Sequence, residues 1–219
     1  MHITTLYLGQ FTLNASFILY LMVYLPQIIH NRCKIHLASL SGGMHLSLFC
    51  GYLLDLFYGY SKCLPWQYKT VSIVGIFLLL IQHLQLINHH KQQKQILKLI
   101  SHILMLFAAI IITWIFFTSL HQQISVETTN ILGYTARFFF LIYLIPQLIK
   151  NKRRPASQAI SHYMIYLSLI LCICDGISAW CLDWGWPNKI AGPFTLIILI
   201  TLLKQQNTRK LSTIKKLQV

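Results

Sequence analysis

Acidic residues are nearly missing from this chain: Asp55, Glu127, Asp175 and Asp183 are all it has in 219 residues. Charged residues of both signs make up only 10% of the sequence, too few to cover a water-soluble domain of this length. The hydrophobic runs lack polar–apolar alternation, which excludes strands as spanning elements. There is no glycine-rich phosphate loop, no Ser/His/Asp order and no paired-carboxylate motif, so an enzyme is not expected. The ten histidines are scattered, and none forms a one-face pair joined by nearby acids, so neither a metal nor a cofactor is expected.

What the chain does have is apolar length. Hydrophobic residues reach 56% and the mean hydropathy is +0.59. Seven runs stand out, roughly Leu6–Ile29, Leu40–Tyr60, Tyr68–Ile87, Ile96–Leu120, Thr128–Ile149, Ile160–Leu182 and Trp186–Leu203. Each approaches the ~20 residues that a helix needs to cross ~30 Å of hydrocarbon. With no water to satisfy the backbone, these runs must close their own hydrogen bonds as helices. The expected fold is therefore an all-α integral membrane protein with seven transmembrane helices.

A formal charge of +14 would suit nucleic acid if it formed one patch, but Lys and Arg fall in short clusters between the apolar runs. That is the membrane pattern, and a nucleic-acid partner is not expected. Segments 30–39, 88–98, 150–157 and 204–219 hold fourteen of the eighteen basic residues, whereas the alternate segments hold Lys62, Lys69 and Lys189. The positive-inside rule then places the N-terminus outside and the C-terminus in the cytosol. The first run has no basic leader or small-residue cleavage site, so it reads as a retained helix. Of the six cysteines, Cys63 and Cys181 both fall on the outer side, where a bridge is conceivable, but free thiols are the expectation for all six. The sequon Asn14-Ala15-Ser16 lies inside the first run and cannot be used. Short loops favour a bacterial cytoplasmic membrane, with an endolysosomal one as the alternative.

The chain also repeats itself. At an offset of 120 residues, Pro26-Gln27 meets Pro146-Gln147, Asn31 meets Asn151, Ser41 meets Ser161, Asp55 meets Asp175, Trp66 meets Trp186 and Lys69 meets Lys189. A three-helix unit ends on the side opposite its start, so a second copy in the same orientation needs one extra crossing. The run Ile96–Leu120 supplies it. The expected organisation is a first repeat over 1–90, a linker helix over 91–121, a second repeat over 122–204 and a basic tail over 205–219. Such parallel repeats are a transporter plan with the solute site between the repeats.

The stretches Tyr24-Leu25-Pro26-Gln27-Ile28-Ile29-His30-Asn31 and Leu144-Ile145-Pro146-Gln147-Leu148-Ile149-Lys150-Asn151 resemble the paired signatures of the PQ-loop family. That family includes lysosomal cystine and cationic amino acid exporters, and SWEET sugar carriers are its relatives. The resemblance covers essentially the whole chain. It implies solute transport by rocking of two three-helix bundles.

The candidate site residues follow from position. Pro26 and Pro146 sit in helices 1 and 5, about one turn from the cytosolic end, where each removes a donor and bends the helix. The matched pair reads as two hinges, with Gln27 and Gln147 placed to satisfy the freed carbonyls. Asp55 and Asp175 lie deep in apolar runs, where a carboxylate costs ~2.5–3.5 kcal/mol on insertion scales and is functional by default. Ser47, Gly51, Asp55 and Tyr58 share one face of helix 2, and Ser168, Cys172, Asp175 and Ser178 share one face of helix 6. Tyr52, Tyr58, Ser168 and Cys172 are candidate solute contacts beside the acids. Arg137 is the one basic residue deep in a helix, and it should pair with Asp175 or Asp55 or meet an anionic group of the solute.

Small sugar carriers similar to this unit place a stacking Trp before a Tyr-Gly pair in helix 2. Here Asp55-Leu56-Phe57-Tyr58-Gly59 puts an acid there, as the family's amino acid exporters do at about this point. Trp186-Pro187-Asn188-Lys189 resembles the Pro-Asn motif of sugar carriers, making Asn188 a candidate solute contact or a helix N-cap. Its match in the first repeat is Tyr68, so the symmetric Asn pair is absent. Trp66, Trp180, Trp184 and Trp186 read as an interfacial aromatic belt. The leading expectation is a secondary carrier of an amino acid, with a cationic solute and proton coupling as its sharper forms. A sugar facilitator is the alternative within transport. A seven-helix sorting receptor is the alternative outside it, disfavoured by the single intramembrane arginine.

Overall fold

The computed structural model describes residues 3–119, 124–153 and 159–217, and among these every regular element is a helix. The junction expected at 121–122 lies outside the described residues. The first helix is broken into α1 (Ile3–Val23) and α2 (Leu25–His30), and its repeat mate into α7 (Val126–Ile142) and α8 (Ile145–Arg153). Both breaks fall just before a proline. The ring of Pro26 has no N–H to donate and clashes with the carbonyl four residues earlier, whereas the first turn of a new helix tolerates it.

The second helices of the two repeats, α4 (Gly42–Ser61) and α9 (His162–Cys181), begin after Ser41 and Ser161. They also end alike. Cys63 and Asp183 each adopt a left-handed φ of 52°, and the next amide reaches back five residues, Leu64 N to Gly59 O at 3.0 Å and Trp184 N to Ala179 O at 2.9 Å. This is the Schellman closure that satisfies the last carbonyls of a helix. The third helices are α5 (Trp66–Gln92) and α10 (Trp186–Leu217), and α6 (Ile96–Ser119) stands between the repeats in sequence.

The two most extensive helix contacts join the repeats. α1 packs on α9 and α4 packs on α7, while α5 and α10 complete their own bundles and α6 leans on α5 and α4. Glycines permit close approach in both of these contacts: a Cβ on Gly9 would lie 2.7 Å from Leu182, and one on Gly133 would lie 2.7 Å from the Tyr58 ring. The architecture is all-α, three membrane helices, one linker and three more. α6 is the lipid-facing extreme, with Leu97 85% and Trp114 69% exposed.

Among the described residues, five helical stretches are long and apolar enough to cross a membrane: Ile3–His30, Trp66–Gln92, Ile96–Thr118, Val126–Lys152 and His162–Cys181. α4 falls short of that measure because it is sheltered. Twelve of its twenty residues are buried, so it can carry His45, Asp55 and four glycines without meeting lipid. The apolar stretch of α10 runs over 190–203, between Lys189 and Lys204. The basic stretch after Leu203 continues α10 as far as Leu217, and the 30–39 connection contains a short helix, α3 (Lys34–Ser39). Cys63 and Cys181 are both free thiols.

Candidate solute-binding cavity

A cavity of about 130 Å³ opens between the repeats, walled by α1, α4, α5, α7, α9 and α10. Since one water needs ~10–15 Å³ on this measure, the space suits a solute of roughly ten heavy atoms. Asp55, Asp175, Arg137, Asn188, Tyr52, Ser168 and Cys172 all line it. Tyr58 does not: its ring packs over Gly133 and meets the edge of Tyr68 at 6.4 Å, so it serves the α4–α7 contact instead.

The two acids occupy equivalent places but have different company. Asp55 is 5% exposed, and its Oδ1 pairs with Arg137 Nη2 at 2.7 Å. The Tyr68 hydroxyl donates to the same oxygen, and Ser72 Oγ donates to Oδ2 at 2.8 Å. Arg137 also donates to the Tyr68 hydroxyl and lies over the rings of Tyr68 and Phe140, 5.7 and 5.4 Å from their centroids. A buried ion pair persists only when further hydrogen bonds satisfy both partners, and this one has them. The pairing crosses the repeats, so Arg137 of the second copy neutralises the acid of the first.

Asp175 has a phenol where Asp55 has a guanidinium. Tyr20 donates its hydroxyl to Asp175 Oδ2 at 2.6 Å, and among the described residues no basic side chain comes within ion-pair distance. Two buried donors in the cavity wall also lack partners among the described residues, Arg137 Nε and Asn188 Nδ2. Cys172 is spoken for, its thiol donating to the Gly192 carbonyl at 3.2 Å.

Tyr20, Tyr24, Tyr68, Ser72 and Trp184 are site residues that sequence reading missed, four of them lining the cavity while Ser72 braces Asp55 from α5. The signal for Tyr68 was present, because it occupies the repeat position of Asn188, and Ser72 follows on the same helix face one turn later. Of the tryptophans, Trp66, Trp180 and Trp186 are each about 60% exposed, while Trp184 turns inward against Tyr68 at 5.8 Å. At the rim, Lys189 Nζ meets Asp183 at 2.5 Å and holds that carboxyl below the usual carboxylate range.

The sequence profile of the PQ loop repeat matches residues 8–68 and 128–188, more than half of the chain and again 120 residues apart. The chain belongs to the PQ-loop repeat family. No curated protein matches it. Among solved structures, a 3.7 Å structure of a eukaryotic SWEET transporter superposes with a TM-score of 0.65 at 14% identity, spanning 94% of this chain and 99% of that one. Family and fold together make the chain a PQ-loop repeat protein with the fold of that SWEET structure.

The glutamines of the two PQ motifs have a role that spacing along one helix could not show. They were expected to satisfy carbonyls freed by the neighbouring prolines, and they do not. Gln27 accepts from Ser161 N at 2.9 Å and donates to Ala159 O at 3.0 Å and Asn31 Oδ1 at 2.8 Å. Gln147 accepts from Ser41 N at 2.8 Å and donates to Ser39 O at 3.3 Å and Asn151 Oδ1 at 2.8 Å. Every partner is displaced by the same 120 residues. Each PQ glutamine therefore clasps the chain entering the second helix of the other repeat. Both are fully buried.

Proposed function

We propose that this PQ-loop protein is a secondary carrier of a small amino acid, working by alternating access between bundles 1–90 and 122–204 with 91–121 as linker. The observation that carries the reading is Asp175, a carboxylate lining a solute-sized cavity with a phenol beside it and, among the described residues, no base within ion-pair distance. An intramembrane acid demands a cationic partner or a proton. The solute's ammonium supplies the first, and a proton substitutes for it when the solute has left. The unmet donors of Arg137 and Asn188 offer the complementary half, a place for a carboxylate. A neutral sugar would leave Asp175 uncompensated, and Tyr68 stands where a second asparagine would complete a sugar clamp.

The basic asymmetry supports an orientation with the N-terminus outside and the PQ end in the cytosol. Short loops support a bacterial cytoplasmic membrane. The reading is tested by flux into proteoliposomes with lysine, arginine, histidine, cystine and glucose as probes, with and without an imposed pH difference. Uptake of one or more amino acids that responds to the pH difference is expected. Glucose uptake with no amino acid flux would replace this reading with a sugar facilitator.

A further inference from the structure

The floor of the cavity holds a contact that the reading above does not use. Tyr24 is the single residue between α1 and α2, at the break that Pro26 imposes. Its hydroxyl lies 2.9 Å from that of Tyr52, and the two rings meet edge to face at 5.9 Å. Both side chains are buried, 5% and 2% exposed, and both face the cavity from its PQ side. Asp55 and Asp175 with Tyr20 stand one helical turn further from the PQ end.

The two phenols are not equally free. Tyr52 is fixed on two sides: its ring meets Phe140 of the other repeat at 4.9 Å and seats on Gly75, where a Cβ would lie 2.5 Å away. Tyr24 rides on the hinge. Bending at the α1–α2 break therefore moves one hydroxyl against a stationary partner. The second repeat lacks this pair, because Leu144 and Cys172 stand at the positions of Tyr24 and Tyr52, and the phenol at its own break, Tyr143, is one residue out of register. The repeats are alike in their prolines and unlike in what each proline moves.

We infer that the Tyr24–Tyr52 hydroxyl pair is the gate in the cavity floor, and that it makes the first repeat's hinge the one joined directly to the solute site. The inference rests on the transport reading, in which the floor must open for solute to leave toward the PQ end. Tyr24 and Tyr52 act here as positioning residues. A solute drawn down to Asp175 reaches the phenols one turn below, and parting them frees the hinge.

The test uses Cys172, which lines the cavity, as a reporter in a chain whose other five cysteines are replaced by serine. Membrane vesicles of each orientation are exposed to an impermeant trimethylammonium methanethiosulfonate, and the labelling rate is read from each side. Tyr24→Phe and Tyr52→Phe should each raise the rate from the PQ side about fivefold, the scale of one hydrogen bond. The double variant should gain no more than either single, since all three lose the same bond. The rate from the opposite side should not rise. Unchanged rates, equal rises from both sides, or multiplied effects in the double variant would each overturn the gate. The labelling needs no transported solute, so a wild-type protein that carries no amino acid defeats the transport reading separately.

Discussion

Arg137 of α7 and Asp55 of α4 form an ion pair across the repeats at 2.7 Å, and among the described residues Asp175 has no equivalent. The two acids share a place in the repeat, yet the position equivalent to Arg137 is Phe17. The acid of the first copy is thus paired within the protein, and among the described residues that of the second is not. Of the two acids expected as partners of Arg137, the structure selects Asp55, because the α4–α7 contact joins different repeats.

Asp55→Asn should destabilise the protein by about 3 kcal/mol, because it leaves the Arg137 guanidinium buried without its counter-charge. Adding Arg137→Gln should recover most of that loss, since removing both partners of a buried pair costs less than removing one. Thermal unfolding in detergent checks both. Equal melting temperatures for wild type and Asp55→Asn would remove the ion pair from the account.

Gln27→Ala and Gln147→Ala should lower the melting temperature by similar amounts. Each change deletes three hydrogen bonds to equivalent partners and strands buried backbone groups at ~1–3 kcal/mol apiece. A large effect at one site and none at the other would show that the two clasps are unequal.

Pro26→Ala and Pro146→Ala should leave folded protein in the membrane while slowing transport several-fold. A proline that opens a helix contributes little to assembly, but it fixes where the helix bends. Wild-type turnover in both variants would reduce the breaks to passive features of the fold.

Two native thiols report the orientation without engineering. Cys33 and Cys63 are both exposed, and they lie at opposite ends of the helices. In intact cells an impermeant maleimide should label Cys63 and spare Cys33 until the membrane is opened. The reverse pattern would invert the topology.

Much of this was legible in the sequence because the repeat is written in residue types that spacing preserves. Pro26 and Pro146, Asp55 and Asp175, and the linker helix all follow from one offset and the membrane's demand for helices. What stayed hidden involves contacts between helices far apart in the chain. Tyr20 reaches an acid 155 residues away, and Gln27 reaches an amide 134 residues away. Periodicity names the face of a helix and not the face it meets. Tyr58 illustrates the limit, sharing a stripe with Asp55 yet packing on Gly133 at the edge of the cavity.

The most direct measurement is lysine uptake into proteoliposomes containing Asp175→Asn, driven by an inwardly directed proton gradient. The substitution keeps the side-chain shape and the reach to Tyr20 while removing the charge that the account assigns to solute and proton. The variant should fold like wild type, exchange lysine only at a raised KM, and fail to accumulate it above the equilibrium level. Accumulation at the wild-type level with an intact response to the gradient would show Asp175 to be a structural acid and contradict the mechanism.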